Sequence, residues 1–168
     1  MDASLQLVAL SKVIIAVLLG GIIGVERENI GKPAGMRTHM LIAGASTLFV
    51  LLGKVIILNY CMSIGQNNFV RGDPIRVIQA IVLGISFIGA GTIIQHQERK
   101  TVIYLTSAAS ILFTAALGIC VALDLYILAA GSVVIVLLIN RGLRYFDKKI
   151  LKRRKGSSVS CKDAKPFE

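Results

Sequence analysis

Tryptophan is absent from this chain, aromatic residues make up only 6% of it, and it holds two histidines and three cysteines. Each scarcity excludes a class of function. The histidines, His39 and His96, lie in different loops of the sequence, so no pair sits at the helical spacing of a membrane metalloprotease. Cys61, Cys120 and Cys161 are odd in number and scattered, which gives neither a metal-ligand spacing nor a disulfide framework. No Gly-rich loop ending in Lys-Ser or Lys-Thr occurs, and no segment leaves room for a cytoplasmic phosphorylation domain, so the chain alone is not an ATP-driven pump. Acidic residues number nine against nineteen Lys and Arg, a formal net charge of +10. That excess is concentrated near the C-terminus with no stacking rings interleaved, so nucleic acid is not an expected partner. Neither an enzymatic activity nor a resident cofactor is expected.

What is abundant is apolar surface. Hydrophobic residues make up 55% of the chain and the mean hydropathy is +0.75, more than a small soluble core can bury. A hydrocarbon core of about 30 Å takes about 20 helical residues, and such runs lie at 5–25, 40–58, 75–94, 102–123 and 125–142. The predicted fold is all-α: a polytopic transmembrane bundle of about five helices over residues 1–143, then a basic, partly disordered tail over 144–168. Only Asp124 separates the last two runs, so four spans with a tight hairpin are the alternative. The opening Met1-Asp2-Ala3-Ser4 lacks the basic stretch of a cleavable signal, and the first run is expected to stay as the first helix.

Cytoplasmic loops collect Lys and Arg. The first loop holds Arg27, Lys32 and Arg37, the third Arg99 and Lys100, and the segment after Asn140 holds ten, from Arg141 to Lys165. The N-terminal stub and the turn at Asp124 hold none. This pattern predicts an outside N-terminus and a cytoplasmic C-terminus. Tyr60, Tyr104, Tyr126 and Tyr145 fall at predicted helix ends, the headgroup level that such rings favour. The basic tail also suits anionic lipid.

Between the first two runs sits a polar cassette, Gly20-Gly21-Ile22-Ile23-Gly24-Val25-Glu26-Arg27-Glu28, continuing to Gly35-Met36-Arg37-Thr38-His39. Charges at a membrane boundary are candidates for function. The plain reading is a solvated border with Glu26 or Glu28 paired to Arg37, although acids at a helix C-terminus oppose its dipole. Asp73 before Pro74 suits a helix cap and first turn, and its carboxylate is the candidate for a transient magnesium contact; no metal site is assigned. Lys12 and Lys54 lie inside the first two helices, where long stems reach the headgroups, and Asp73 is a candidate partner for Lys12. Gly20 with Gly24, and Ala80, Gly84 and Gly91 with Gly89 beside them, form small-residue faces for close helix packing. Ser107, Ser110 and Thr114 lie at helical spacing, able to bond a neighbour or to line a polar path between helices three and four.

Taken in order, these motifs resemble the MgtC/SapB family of bacterial inner-membrane proteins. The resemblance is carried by Lys12, the two cassettes just quoted, Asp73-Pro74-Ile75-Arg76, Gly84-Ile85-Ser86-Phe87-Ile88-Gly89-Ala90-Gly91-Thr92 and Leu105-Thr106-Ser107-Ala108-Ala109. It covers roughly residues 12–118. It implies functional positions at Lys12, Glu26, Arg27, Glu28, Arg37, Thr38, His39, Asp73 and Arg76, and packing positions that include Thr106 and Ser107. Two departures stand out. Tyr104 precedes Leu105 where the family usually has glycine, and the folded cytoplasmic domain of better-known members is replaced by the basic tail. The resemblance implies a role in magnesium homeostasis and growth at low magnesium, by regulation of another integral membrane protein. The alternative is an oligomeric channel or carrier for magnesium or another small solute. Expected partners are the lipid bilayer, another integral membrane protein or further copies of the chain, and anionic lipid at the tail.

Overall fold

The computed structural model describes residues 3–63, 73–94 and 104–158, and the regular structure there is helical throughout: α1 (Ala3–Glu28), α2 (Met36–Ser63), α3 (Pro74–Ile94), α4 (Leu105–Ala122) and α5 (Tyr126–Ser158). In hydrocarbon a helix satisfies its backbone without water, and uninterrupted Leu, Ile, Val and Ala runs take that form. Among the described residues four helices are long and apolar enough to cross a membrane, namely α1 to α4. The described apolar part of α5, Tyr126–Gly142, is shorter. His96 and the basic residues Arg71, Arg99, Lys100, Lys162 and Lys165 lie outside the described residues, as does Cys161.

The helix ends follow from local chemistry. Asp73 caps α3: its Oδ1 accepts the Ile75 N–H at 2.9 Å, ahead of a proline at the first helical position. α1 closes in a Schellman turn on Gly31, at φ +67°, with Lys32 N–H bonded to the Arg27 carbonyl and Gly31 N–H to that of Glu28. α4 closes the same way on Asp124, at φ 64°: Leu125 N–H bonds the Cys120 carbonyl and Asp124 N–H that of Val121. Aspartate tolerates this left-handed conformation better than most residues, which is how a single polar residue turns the chain between two apolar runs.

Residues Met1–Val133 form one compact unit, and the chain from Val134 onward a second. In the first, α2 and α4 lie at the centre; α1 and α3 each pack against both. Ile23, Ile111, Leu117 and Val121 are fully buried there. Outward, large apolar side chains stand bare: Phe87 is 81% exposed and Leu83 75%. Such a surface is untenable in water and ordinary against lipid.

Candidate functional site

The cassette is where α1 meets the start of α2, and glycine sets the distance. A Cβ added at Gly24 would lie 2.5 Å from Met36 Cα, and one at Gly20 would lie 2.6 Å from the His39 carbonyl oxygen and 2.8 Å from Ala43 Cβ. Only hydrogen fits at either position. A third glycine closes the other side of α2: a Cβ at Gly118 of α4 would run into the Ala43 carbonyl oxygen. So α2 is held between α1 and α4 at backbone contact, the arrangement that small residues permit in membranes.

The acids and bases of the cassette arrange themselves around this contact. Glu28 Oε2 accepts the Met36 N–H at 2.9 Å, so a carboxylate that ends α1 serves the positive end of α2 and its charge complements that dipole. Arg27 is buried and its Nε lies 3.7 Å from Glu26 Oε2. Arg37 is exposed, and among the described residues no ion pair joins it to Glu26 or Glu28. Thr38 beside it is half-buried. The Lys32 ammonium sits 5.8 Å from the centre of the Tyr104 ring, tying the α1–α2 loop to the start of α4.

His39 lies in the first turns of α2 rather than in the loop expected for it, and it is fully buried. Its Nδ1 is 2.9 Å from the Gly35 carbonyl and its Nε2 3.3 Å from Ser110 Oγ on α4. Ser110 donates to the Ser107 carbonyl at 2.8 Å and Thr114 to the Ser110 carbonyl at 2.8 Å. Two turns along, the Thr47 hydroxyl lies 2.9 Å from the carbonyl of Ala43 and 2.8 Å from that of Gly118. The polar strip of α4 therefore meets a neighbouring helix, α2, and among the described residues it does not line a path between α3 and α4. Most of its hydroxyls are turned onto their own helix, and the bonds that cross come from His39 and Thr47. The hydroxyls of Ser46 and Ser107 are buried and have no hydrogen-bond partner among the described residues.

A second polar cluster joins α1 to the α4–α5 turn. Lys12, on the inner face of α1, places its ammonium 2.7 Å from the Asp124 carboxylate, and Tyr126 Oη donates to the same carboxylate at 3.0 Å. These two hydrogen bonds hold the Asp124 carboxyl below its usual range. Asp73, the expected partner of Lys12, is engaged elsewhere: it caps α3, and its Oδ2 lies 4.0 Å from Arg76 Nε. Lys12 and Asp124 are 112 residues apart, so nothing in local spacing announced the pair.

The expected packing glycines divide. Gly89 faces Ala108 of α4, with 3.5 Å to a built Cβ, whereas Gly84 and Gly91 face open space. Ser107 is buried and Thr106 exposed. Apart from Gly89, the α3 glycine stripe therefore does not pack within the described chain. Among the described residues no three His, Cys, Asp or Glu side chains cluster as a metal site.

The MgtC family profile matches residues 13–149, from the first helix well into the fifth. The chain belongs to the MgtC family. YhiD of Escherichia coli (strain K12) is 37% identical over 128 residues, covering 76% of this chain and 57% of YhiD. SrpB of Synechococcus elongatus is 33% identical over 144 residues, 82% of this chain and 75% of SrpB. SapB of Bacillus subtilis is 31% identical over 141 residues, 84% and 59%. The chain thus spans little more than half the length of YhiD and SapB. No solved structure matches it. Family membership and four spanning helices make this MgtC family member a multi-pass membrane protein.

Proposed function

We propose that this chain works in the bacterial inner membrane in magnesium homeostasis and growth at low magnesium, and that it does so by regulating another integral membrane protein. The magnesium link rests on a relative: YhiD is provisionally named a magnesium transporter. The preference for regulation over carriage rests on one observation, the backbone-to-backbone contact of α2 with α1 at Gly20 and Gly24 and with α4 at Gly118. Magnesium gives up water reluctantly and travels with much of its shell, and a bundle closed on glycine hydrogens leaves little width for that between its central helices. The hydroxyls along this seam are mostly spent on nearby carbonyls. In this reading the glycine and carboxylate cassette sets a rigid hairpin, the N-terminus faces outward, the basic tail lies at the cytoplasmic surface, and the chain performs no enzymatic step.

The reading is tested by reconstituting the purified chain in liposomes and following magnesium entry with an entrapped indicator. Regulation predicts flux no greater than in empty liposomes, for the wild type and for Glu26→Gln and Asp73→Asn alike. Saturable flux in the wild type that both substitutions abolish would replace it with the oligomeric channel or carrier.

A further inference from the structure

Between α2 and α3 the first unit leaves a groove of about 860 Å³, floored by Ala45, Phe49 and Gly53 of α2 and by Ala80 and Gly84 of α3, with Arg76 at one end. The small residues make it. Gly84 has no atom of the described residues within 4 Å of where a Cβ would stand, so among them the hollow is open there. Near the Arg76 end the helices close up again, since a Cβ on Gly53 would lie 2.9 Å from a Val77 methyl.

Length, charge and chemistry together narrow the occupant. Along α3 the lining runs from Arg76 to Ile88, about 18 Å at the rise of a helix. Along α2 it runs from Leu41 to Ile56, about 22 Å, so on neither helix does it reach the full hydrocarbon core of about 30 Å. A partner's spanning helix would call for a matching face over the whole thickness. At the end where α3 begins, the groove carries one exposed cation and one exposed anion side by side, Arg76 and Asp73, 4.0 Å apart. Arg76 is 84% exposed and its Asp73 contact is a long one through Nε, so the guanidinium is accessible to a phosphate, which arginine binds in a forked hydrogen bond. Asp73 has one oxygen on the Ile75 N–H and the other beside Arg76, and a carboxylate has acceptor sites to spare for a primary ammonium.

From this geometry we infer that the α2–α3 groove is a binding site for one phospholipid whose headgroup carries both a phosphate and a primary ammonium, as phosphatidylethanolamine does. Its acyl chains fill the hollow over Gly84, its phosphate lies on Arg76 and its ammonium on Asp73. The site is independent of the magnesium reading, and it is distinct from any hold of the basic tail on anionic lipid, which would favour the opposite headgroup.

The test is native mass spectrometry of the full chain in detergent with added phosphatidylethanolamine, phosphatidylglycerol or phosphatidylcholine. The expected result is one retained phospholipid per chain, with phosphatidylethanolamine favoured about threefold, the order that an exposed ion pair supports. Asp73→Asn, which keeps the helix cap, should bring that preference to about one. Arg76→Gln should weaken retention of all three lipids. Gly84→Leu, and Ala80→Leu as a second variant at an exposed position, should lower occupancy at least tenfold, with circular dichroism and the melting temperature reporting the fold. Occupancy unchanged in both filled variants would overturn the inference. So would a wild-type preference for phosphatidylglycerol that disappears on Arg153→Gln with Arg154→Gln, or lipid-free dimers in place of lipid-bound chains.

Discussion

In Gly24→Ala the new methyl would stand 2.5 Å from Met36 Cα and 3.0 Å from the carbonyl oxygens of both Gly35 and Met36. All three are main-chain atoms, so no rotamer change relieves the overlap. Ordinary carbon contacts begin near 3.5 Å, so α1 and α2 must part by roughly 1 Å. Overpacking of this kind typically costs about 1–3 kcal/mol. For a chain of this size about 1 kcal/mol moves the melting temperature by roughly 2–4 °C, which puts the fall at about 2–12 °C. The movement would also stretch the Glu28 to Met36 bond at the start of α2. Gly84→Ala is the internal control, because it makes the same chemical change where no atom of the described residues lies within 4 Å, and it should melt within about 2 °C of wild type. The assay is thermal unfolding of both variants in one detergent, followed by tryptophan-free near-ultraviolet signals or by thiol accessibility. Equal melting temperatures for Gly24→Ala and Gly84→Ala would refute the claim that backbone contact at the cassette holds the bundle.

Two other outcomes follow from the same geometry. Tyr104 sits at φ 76°, a left-handed conformation that costs a residue with a side chain about 1–2 kcal/mol relative to glycine; Tyr104→Gly should therefore melt about 2–8 °C above Tyr104→Ala, both having lost the ring over Lys32, and equal values would remove the strain argument. Asp124 has its carboxyl pKa lowered by Lys12 and Tyr126, so its contribution is complete above the ordinary carboxylate value near 3.8 and is lost as pH falls through the lowered one; acid unfolding of Asp124→Asn should lack the added pH dependence below that value that the wild type shows, and superimposable acid limbs would contradict the pairing.

Hydropathy made the helices legible, because a spanning helix must be apolar along its whole length and the runs at 5–25 and 75–94 could be little else. The cap at Asp73-Pro74 was equally plain, since every atom it uses lies within three residues. Partners across the bundle were not. Lys12 could be assigned to Asp73 by charge alone, and only the turn on Asp124 brings the true partner to it. Glu26, Arg27 and Glu28 were conspicuous as charges, but that Glu28 would cap the next helix depends on the Schellman turn at Gly31 returning the chain at the right distance. Glycines at helical spacing look alike in sequence, yet Gly20 and Gly24 are filled by α2 while Gly84 and Gly91 face outward; spacing identifies a face and is silent on which neighbour occupies it. Gly118 and Thr47 carried no signal beyond their residue type. Tyr104 did carry one, since the departure from a family glycine marked a position where the backbone turns left-handed.

The carboxylate of Glu28 on the Met36 N–H has a bearing on how the α1–α2 hairpin is built. The turn that joins α1 to α2 supplies its own glycine, its own cap and its own close-packed face, all within residues 20–43. A helical hairpin so equipped carries its turn, its cap and one contact face within a single stretch of chain, and the face left over on α2 is the one that Gly118 of α4 meets.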